Sequence, residues 1–240
     1  MKTTRINREL ILEEPEGGIY FGTDALLLAH FISSWRGGVG VDLGTGSGVI
    51  PLLLLSGGLK GMLTGIEIQE LYCSNANRNA VINGFSDRFS VINGDIKDIK
   101  NLFASGGADA VFSNPPYLKT TSGKRSNTEQ RNIAYHEVFC DINDICFAAA
   151  WCLRTGGRFY TVYRPERMAG LLSAMRNNRL EPKRIKLVFP SAGKPPSLIL
   201  AEAKKDAREG LLFEPNLYIY TDGNHSEYSD EMKSIYREFE

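Results

Sequence analysis

The chain has 240 residues, of which 42% are hydrophobic and 23% are charged, and its formal net charge at pH 7 is zero. These proportions are typical of a globular protein with an apolar core, and they exclude a disordered or fibrous chain. The longest apolar run, VIPLLLL at 49–55, is far below the ~20 residues of a membrane span, and the first residues, MKTTRINREL, lack a signal-peptide pattern. We therefore expect a cytoplasmic protein, most simply a monomer, without a membrane segment.

The four cysteines are not arranged for metal or disulfide chemistry. Cys73, Cys140, Cys146 and Cys152 form no C-x-x-C pair, and no histidine stands at a ligand spacing from them. The pattern predicts reduced thiols and no metal site.

The predicted elements alternate between strands and helices from residue 23 to about 204. The strands are predicted at 39–43, 62–68, 89–93, 108–113, 157–163, 184–189 and 197–203. The helices are predicted at 23–34, 48–56, 69–83, 141–153 and 165–178, with a weaker one at 98–104. Short, nearly all-apolar strands between helices predict a mostly parallel sheet covered on both faces.

We expect one domain over 1–240. It would comprise an N-terminal segment with a helix (1–38), the sheet (39–204) and a C-terminal extension (205–240). In the extension we predict a short strand at 217–220 and a terminal helix.

The first strand runs into a glycine-rich turn, LGTGSGVIP, which gives Asp42, Gly44, Gly46 and Gly48 in the pattern D-x-G-x-G-x-G around Thr45. Glycines at a βα turn let a ligand approach the backbone, and the following helix points free N–H groups at it. The turn predicts a nucleoside-containing cofactor. A dinucleotide would be expected to meet G-x-G-x-x-G instead.

The next two strands end in acidic residues. Glu67 follows Gly48 by nineteen residues, close to the offset at which an acid meets a ribose diol in such folds, and Asp95 ends the third strand. Asp95 is placed to accept a hydrogen bond from an adenine amino group. Ile68 and Ile96 stand beside these acids for apolar packing.

The fourth strand ends in Ser-Asn-Pro-Pro-Tyr at 113–117. The two prolines stiffen this turn and hold the residue before them out of the helical region. A lone tetrad of this kind would more often be a plain loop. Here it follows three other polar strand ends at the carboxyl edge, where open α/β sheets bind ligands.

With these motifs in this order, the sequence resembles the class I S-adenosyl-L-methionine-dependent methyltransferases over about residues 20–204. The tetrad Asn114, Pro115, Pro116 and Tyr117 looks like the N-P-P-Y signature of members that methylate planar amino groups. The resemblance implies a Rossmann-like fold with a seven-stranded sheet whose last strand is antiparallel. It also implies that the glycine-rich turn packs on the methionine of S-adenosyl-L-methionine, Glu67 holds the ribose and Asp95 meets the adenine.

A closer likeness lies outside these motifs. The segments FGTDALLLAHF, YHEVFC, RPERM and LEPKRIKLVFPSAGKPPSLILAEAKK are similar to the bacterial tRNA methyltransferases that modify adenine N6 beside the anticodon of a valine tRNA. The resemblance implies a tRNA partner, and it implies that Thr23 lines the methionine end of the cofactor. From its residue type and position, Thr23 is also predicted to be a helix N-cap, with Asp24 in the first turn. The family pattern has an arginine at the position of Tyr135. For His136 we predict a structural role before a catalytic one.

The tetrad suits the chemistry of an exocyclic amine, whose lone pair is delocalised into the ring. The Asn114 side-chain carbonyl and the Pro115 backbone carbonyl would accept its two N–H bonds, and Tyr117 would stack on the base. Catalysis would then depend on positioning and preorganised acceptors, without a metal.

Basic residues are concentrated on part of the chain. Residues 151–194 carry ten Lys and Arg against two acids, and the stretch 118–132 has net charge +3. These charges predict contacts with RNA phosphates, although scattered surface charge is an equal alternative. The predicted RNA-binding residues are Lys119, Lys124, Arg125, Arg131, Arg164, Arg167, Lys183, Arg184, Lys186 and Lys194. We expect the stretch at 118–132 to be a substrate-facing loop.

Other functions share parts of this pattern. A glutamine methyltransferase acting on a release factor also carries N-P-P-Y, but only 41 residues precede Asp42, too few for the helical domain expected there. Methylation of another amino group in rRNA or DNA stays an alternative. A non-catalytic RNA-binding module is disfavoured by the intact glycine-rich turn, acids and tetrad.

Overall fold

A computed structural model of the chain describes residues 1–6, 10–15, 22–115 and 140–239. The first half contains β1 (Lys2–Arg5), β2 (Ile11–Glu14), α1 (Thr23–Ile32), β3 (Gly37–Leu43), α2 (Val49–Ser56), β4 (Lys60–Glu67), α3 (Glu70–Ile82), β5 (Phe89–Asn93), α4 (Ile99–Leu102) and β6 (Ala108–Ser113). The second half contains α5 (Ile142–Cys152), β7 (Leu153–Tyr163), α6 (Met168–Asn177), β8 (Leu180–Phe189), β9 (Leu198–Lys205), β10 (Leu212–Phe213), β11 (Leu217–Tyr218) and α7 (Asp230–Glu238). Short 3₁₀ turns at Ile96–Asp98 and Pro165–Arg167 precede α4 and α6.

The main sheet has the strand order β10-β8-β9-β7-β6-β3-β4-β5, with β11 also paired to β8. Strands β3 to β7 pair in parallel, whereas β9 is antiparallel to both of its neighbours, β7 and β8. The predicted fold class is therefore confirmed, including the antiparallel last strand of the seven-stranded core.

Apolar side chains alternate between the two faces of the sheet and form one core layer on each. Phe112 packs into the layer under α1 and α2, while its neighbour Val111 packs into the layer under α5 and α6. Because both faces are covered, the central strands are apolar along most of their length, as the sequence pattern predicted.

An N-terminal hairpin, β1–β2, packs on α3 through asparagine side chains. The Asn83 amide accepts from the Ile11 N–H at 2.8 Å and donates to the Ile11 carbonyl at 2.7 Å. The Asn79 amide makes the same pair of bonds with Glu13, both at 2.9 Å. Each amide thus replaces a neighbouring strand for one residue of β2. The spacing of apolar residues does not predict this hairpin.

The start of α1 corrects one expectation. The N-cap is Gly22, in extended backbone and without a side-chain cap bond, so Thr23 is the first helical residue and not the cap. Asp24 lies in the first turn, as predicted. Within the described ranges, no helix combines the length and apolar character that crossing a membrane requires.

Candidate active site

The predicted cofactor residues meet because the parallel strands end at one edge. Leu43 at the end of β3 pairs with Ile66, and Glu67 at the end of β4 pairs with Asn93 at the end of β5. Asp42 pairs with Phe112, two residues before Asn114. The glycine-rich turn, both acids and the start of the tetrad therefore share the carboxyl edge.

The glycine-rich turn is fixed by hydrogen bonds to the neighbouring strand β4 and to its own strand β3. The N–H groups of Gly44 and Thr45 donate to the Ile66 carbonyl at 2.9 and 3.2 Å, and the Thr45 hydroxyl donates to Asp42 Oδ2 at 2.7 Å. A turn held at three points is preorganised, so it needs little rearrangement to receive a ligand.

Two glycines of the turn have different reasons to be glycine. Gly46 has φ of 56° and open space where a Cβ would lie, so its backbone is accessible. Gly48 has φ of 80°, and a Cβ there would lie 2.7 Å from the Phe89 ring. Gly46 therefore leaves room for a ligand, while Gly48 allows α2 to pack closely on the sheet.

Glu67 is buried and its carboxylate is oriented by the backbone. Its two oxygens accept from the N–H groups of Gly46 and Gln69, each at 2.9 Å. Ile68 follows with an exposed side chain. A buried, oriented carboxylate has further lone pairs for the hydroxyl groups of a ligand.

Asp95 lies at the end of the next strand and caps the 3₁₀ turn through a 2.9 Å bond from the Lys97 N–H to Oδ1. Ile96, partly buried, packs against the core layer formed with α5. The cap fixes the direction of the Asp95 carboxylate at the same edge.

Asp42 is almost completely buried, at 1% exposure, and its Oδ1 has no hydrogen-bond partner in the described part of the chain. Burial raises the pKa of Asp42 to about 7; the hydrogen bond from Thr45 opposes this rise, and the charge of Glu67 adds to it. The site thus contains one carboxyl group that is partly protonated near neutral pH.

The tetrad begins at the end of β6. The Ser113 hydroxyl donates to the Leu43 carbonyl at 2.7 Å, which joins β6 to the strand that carries the glycine-rich turn. Asn114 follows, and its Oδ1 is buried with no partner among the described residues. Pro115 is buried, whereas Pro116 and Tyr117 lie outside the described residues, as do Tyr135 and His136.

Three of the predicted RNA-binding residues lie at the same edge as the site. Arg164 and Arg167 follow the end of β7, and Lys194 lies in the turn between β8 and β9. Arg164 donates to the Ser197 carbonyl at 3.2 Å and so connects these two segments. Lys119, Lys124, Arg125 and Arg131 lie outside the described residues.

The other three predicted RNA-binding residues have internal partners. Arg184 forms ion pairs with Glu202 and Glu214, and Lys186 forms one with Glu231 at 2.9 Å. Lys183, in the amino half of β8 and away from the site, donates to the Arg208 carbonyl at 3.1 Å. These contacts hold the C-terminal extension to the sheet, and we leave the three residues out of the tRNA contacts proposed below.

The chemistry of this edge suits a ligand with hydroxyl and amino groups. Open space lies beside Gly44 and Gly46, and the Glu67 carboxylate faces the turn. Asp42 and Asn114 each have a buried oxygen without a hydrogen-bond partner in the described ranges. Over residues 1–6, 10–15, 22–115 and 140–239, no group of three or more metal-ligating side chains is present.

Comparison with known proteins identifies the domain. The family described as Methyltransferase domain matches residues 36–179. The tRNA1(Val) (adenine(37)-N6)-methyltransferase of Porphyromonas gingivalis is 30% identical over 187 residues, covering 75% of this chain and 72% of that protein. The protein of the same name from Bacteroides fragilis is 26% identical over 221 residues, covering 91% of this chain and 89% of its own length.

Solved structures share the fold at low sequence identity. A crystal structure of a predicted O-methyltransferase from Agrobacterium tumefaciens has a TM-score of 0.73 at 21% identity, covering 90% of this chain and 96% of that one. Geranyl diphosphate methyltransferase in complex with geranyl diphosphate and sinefungin has a TM-score of 0.56 at 18% identity, over 75% of this chain and 77% of that one.

Proposed function

The chain belongs to the class I S-adenosyl-L-methionine-dependent methyltransferases, and from this premise we propose that it methylates the N6 amino group of an adenine in a tRNA. The proposed target adenine lies next to the anticodon of a valine tRNA. S-adenosyl-L-methionine is the methyl donor of this family, and it supplies an electrophilic methyl group on sulfur.

The residues at the carboxyl edge fit this cofactor. We assign the ribose hydroxyls to Glu67, whose carboxylate is already oriented by Gly46 and Gln69. We assign the adenine of the cofactor to Asp95, with Ile68 and Ile96 beside it. The turn from Asp42 to Gly48 and the first turn of α1 at Thr23 would surround the methionine end.

One observation carries the proposed reaction. Asn114 Oδ1 is buried at the end of β6, one strand away from the glycine-rich turn, and has no partner among the residues that the structure describes. An amine N–H would satisfy this oxygen, and the Pro115 carbonyl would accept the second N–H. Because the base would be held with its nitrogen toward the cofactor, its lone pair would become available as the methyl transfers. Pro116 and Tyr117 would complete the pocket by stiffening the turn and stacking on the base.

A tRNA substrate is supported by the names of the relatives and by charge near the site. Arg164, Arg167 and Lys194 lie at the edge that carries Asn114, where they would contact phosphates of an anticodon loop. The target base has to leave its stack, which costs less in a loop than in a duplex.

The test is to incubate the protein with methyl-labelled S-adenosyl-L-methionine and unmodified tRNA, then digest the RNA to nucleosides. We expect label in N6-methyladenosine, at one position of a valine tRNA. Label on a glutamine of an added release factor, with none in RNA, would replace the proposal with the glutamine reaction. Label in another nucleoside would show that the target atom is wrong.

A further inference from the structure

Helix α3 and its C-cap residue carry asparagines four residues apart, at positions 75, 79 and 83, and this spacing puts them on one face. Asn79 and Asn83 form the amide pairs with β2 described above. Asn79 also donates to the Ser47 carbonyl at 2.9 Å, so this face of α3 contacts the glycine-rich turn. Ala76 touches the turn as well, because a Cβ on Gly48 would lie 3.3 Å from its side chain.

Asn75, the remaining asparagine of the face, has no partner of this kind. It is 3% exposed, yet neither its Nδ2 nor its Oδ1 forms a hydrogen bond within the described ranges. The pairing with β2 uses alternate residues, Ile11 and Glu13, and the next in that series is Pro15. Proline has no N–H, so β2 cannot donate to a third amide as it does to the other two.

A second unpartnered polar group lies in the turn itself. Ser47 is 7% exposed, and its hydroxyl also has no partner within the part of the chain that the structure describes. The Ser47 backbone is fixed by Asn79, one helical turn after Asn75. Among the described residues, two buried polar side chains without partners therefore lie in or next to the turn that we assign to the methionine end of the cofactor.

Such groups lower stability unless something satisfies them, since a buried amide without bonds costs the free energy of removing it from water. An amide needs both a donor and an acceptor, and a hydroxyl can act as either. The α-amino-acid group of S-adenosyl-L-methionine offers a matching pair, because its ammonium donates and its carboxylate accepts.

We propose that Asn75 and Ser47 bind the amino-acid end of S-adenosyl-L-methionine. The Asn75 Oδ1 accepts from the ammonium group, and its Nδ2 and the Ser47 hydroxyl donate to the carboxylate. This inference rests on the cofactor and not on the RNA substrate that we propose.

The test measures binding by calorimetry of two ligands that differ only at this end. S-adenosylhomocysteine keeps the amino-acid group, and 5′-methylthioadenosine lacks it. For Asn75→Leu we expect affinity for S-adenosylhomocysteine to fall about tenfold or more, with affinity for methylthioadenosine unchanged. We also expect the melting temperature of the ligand-free protein to rise, because the substitution removes an unsatisfied amide.

Asn83→Leu is the matched control, since it changes the same residue type in the same row of asparagines, at the C-cap of α3. It should lower the melting temperature, because it removes both bonds to Ile11, and leave the ratio of the two affinities unchanged. The proposal is overturned if Asn75→Leu weakens both ligands equally, which indicates a distorted turn, or weakens neither. These binding and melting experiments contain no RNA, so their results would stand even if the protein does not methylate tRNA.

Discussion

The guanidinium carbon of Arg184 lies 4.5 Å from the centre of the Phe31 ring, while its nitrogens pair with Glu202 and Glu214. Glu202 is 1% exposed and also pairs with Arg158. Arg184 thus joins α1, β8, β9 and the C-terminal extension.

We expect Arg184→Ala to destabilise the protein by roughly 3 kcal/mol, because breaking a buried pair leaves a carboxylate without full compensation. Denaturant unfolding gives the free energy. Arg176→Ala, which removes an exposed partner of Glu209, should have a much smaller effect. A loss of tRNA binding in Arg184→Ala with unchanged stability would restore it to the RNA-binding set.

Asp42 gives a pH-dependent prediction. Its folded-state pKa, about 7, is above the unfolded value near 3.8, so between these values the folded state binds more protons than the unfolded state. Stability therefore falls as pH rises from about 4 to 7 and is level above that range, and the shift corresponds to roughly 4 kcal/mol at most. Asp42→Asn should remove this fall in the free energy of unfolding between pH 4 and 7. Free energies of unfolding of both ligand-free proteins across pH 4 to 8 test it, and a constant difference would contradict it.

Glu67→Ala should weaken binding of S-adenosylhomocysteine by about a hundredfold, because two charged hydrogen bonds to the ribose would be lost and the Gly46 N–H would lose its acceptor. Calorimetry measures the affinity. Glu70→Ala removes the same charge from an exposed position three residues later and should leave the affinity unchanged. Equal effects of the two substitutions would reduce the role of Glu67 to general electrostatics.

Asn114→Ala should reduce kcat for methyl transfer by about 10²–10³-fold, as loss of one preorganised hydrogen-bonding group does in other enzymes. Affinity for S-adenosylhomocysteine should not change, because Asn114 is assigned to the substrate. Single-turnover assays separate the chemical step from binding. An unchanged rate would exclude the proposed role of its carbonyl.

Lys194→Glu should weaken tRNA binding. It should also lower the slope of log K against log salt concentration by about one, the change expected for one lost phosphate contact. Lys183→Glu is the control, since it makes the same charge change in the amino half of β8, away from the site. Binding measured over a range of salt concentrations distinguishes them. Equal slopes for both variants would remove the β8–β9 turn from the RNA interface.

Periodicity predicted most of the fold because the central strands are buried on both faces. The runs at 89–93 and 108–113 match β5 and β6 at both ends. The antiparallel last strand was implied by resemblance, and the order of the strands was not predicted, since apolar spacing carries no information about which strands are neighbours. The hairpin β1–β2 was missed because its strands have only four residues each, and because the side chains that hold β2 on α3, Asn79 and Asn83, are far from it in sequence.

In the candidate site too, features that are local in sequence could be predicted, and contacts between distant residues could not. Glycine spacing and acids at strand ends indicated the cofactor edge, because these signals are local in sequence. The ion pair between Arg184 and Glu202 joins residues 18 positions apart, so charge counting could not predict it. Asparagines repeated every four residues in α3 and at its C-cap were an available signal, because asparagine is a poor helix former and its recurrence on one face needs another reason.

The place of β8 in the sheet, between β9 on one side and β10 and β11 on the other, affects the order in which the sheet forms during synthesis. Strands β3 to β7 can pair while the rest of the chain is still being translated. In contrast, each strand that pairs with β8 in the described chain, namely β9, β10 and β11, follows it in sequence. The nascent β8 therefore has open edges on both sides, and they close only after the ribosome has made its later partners.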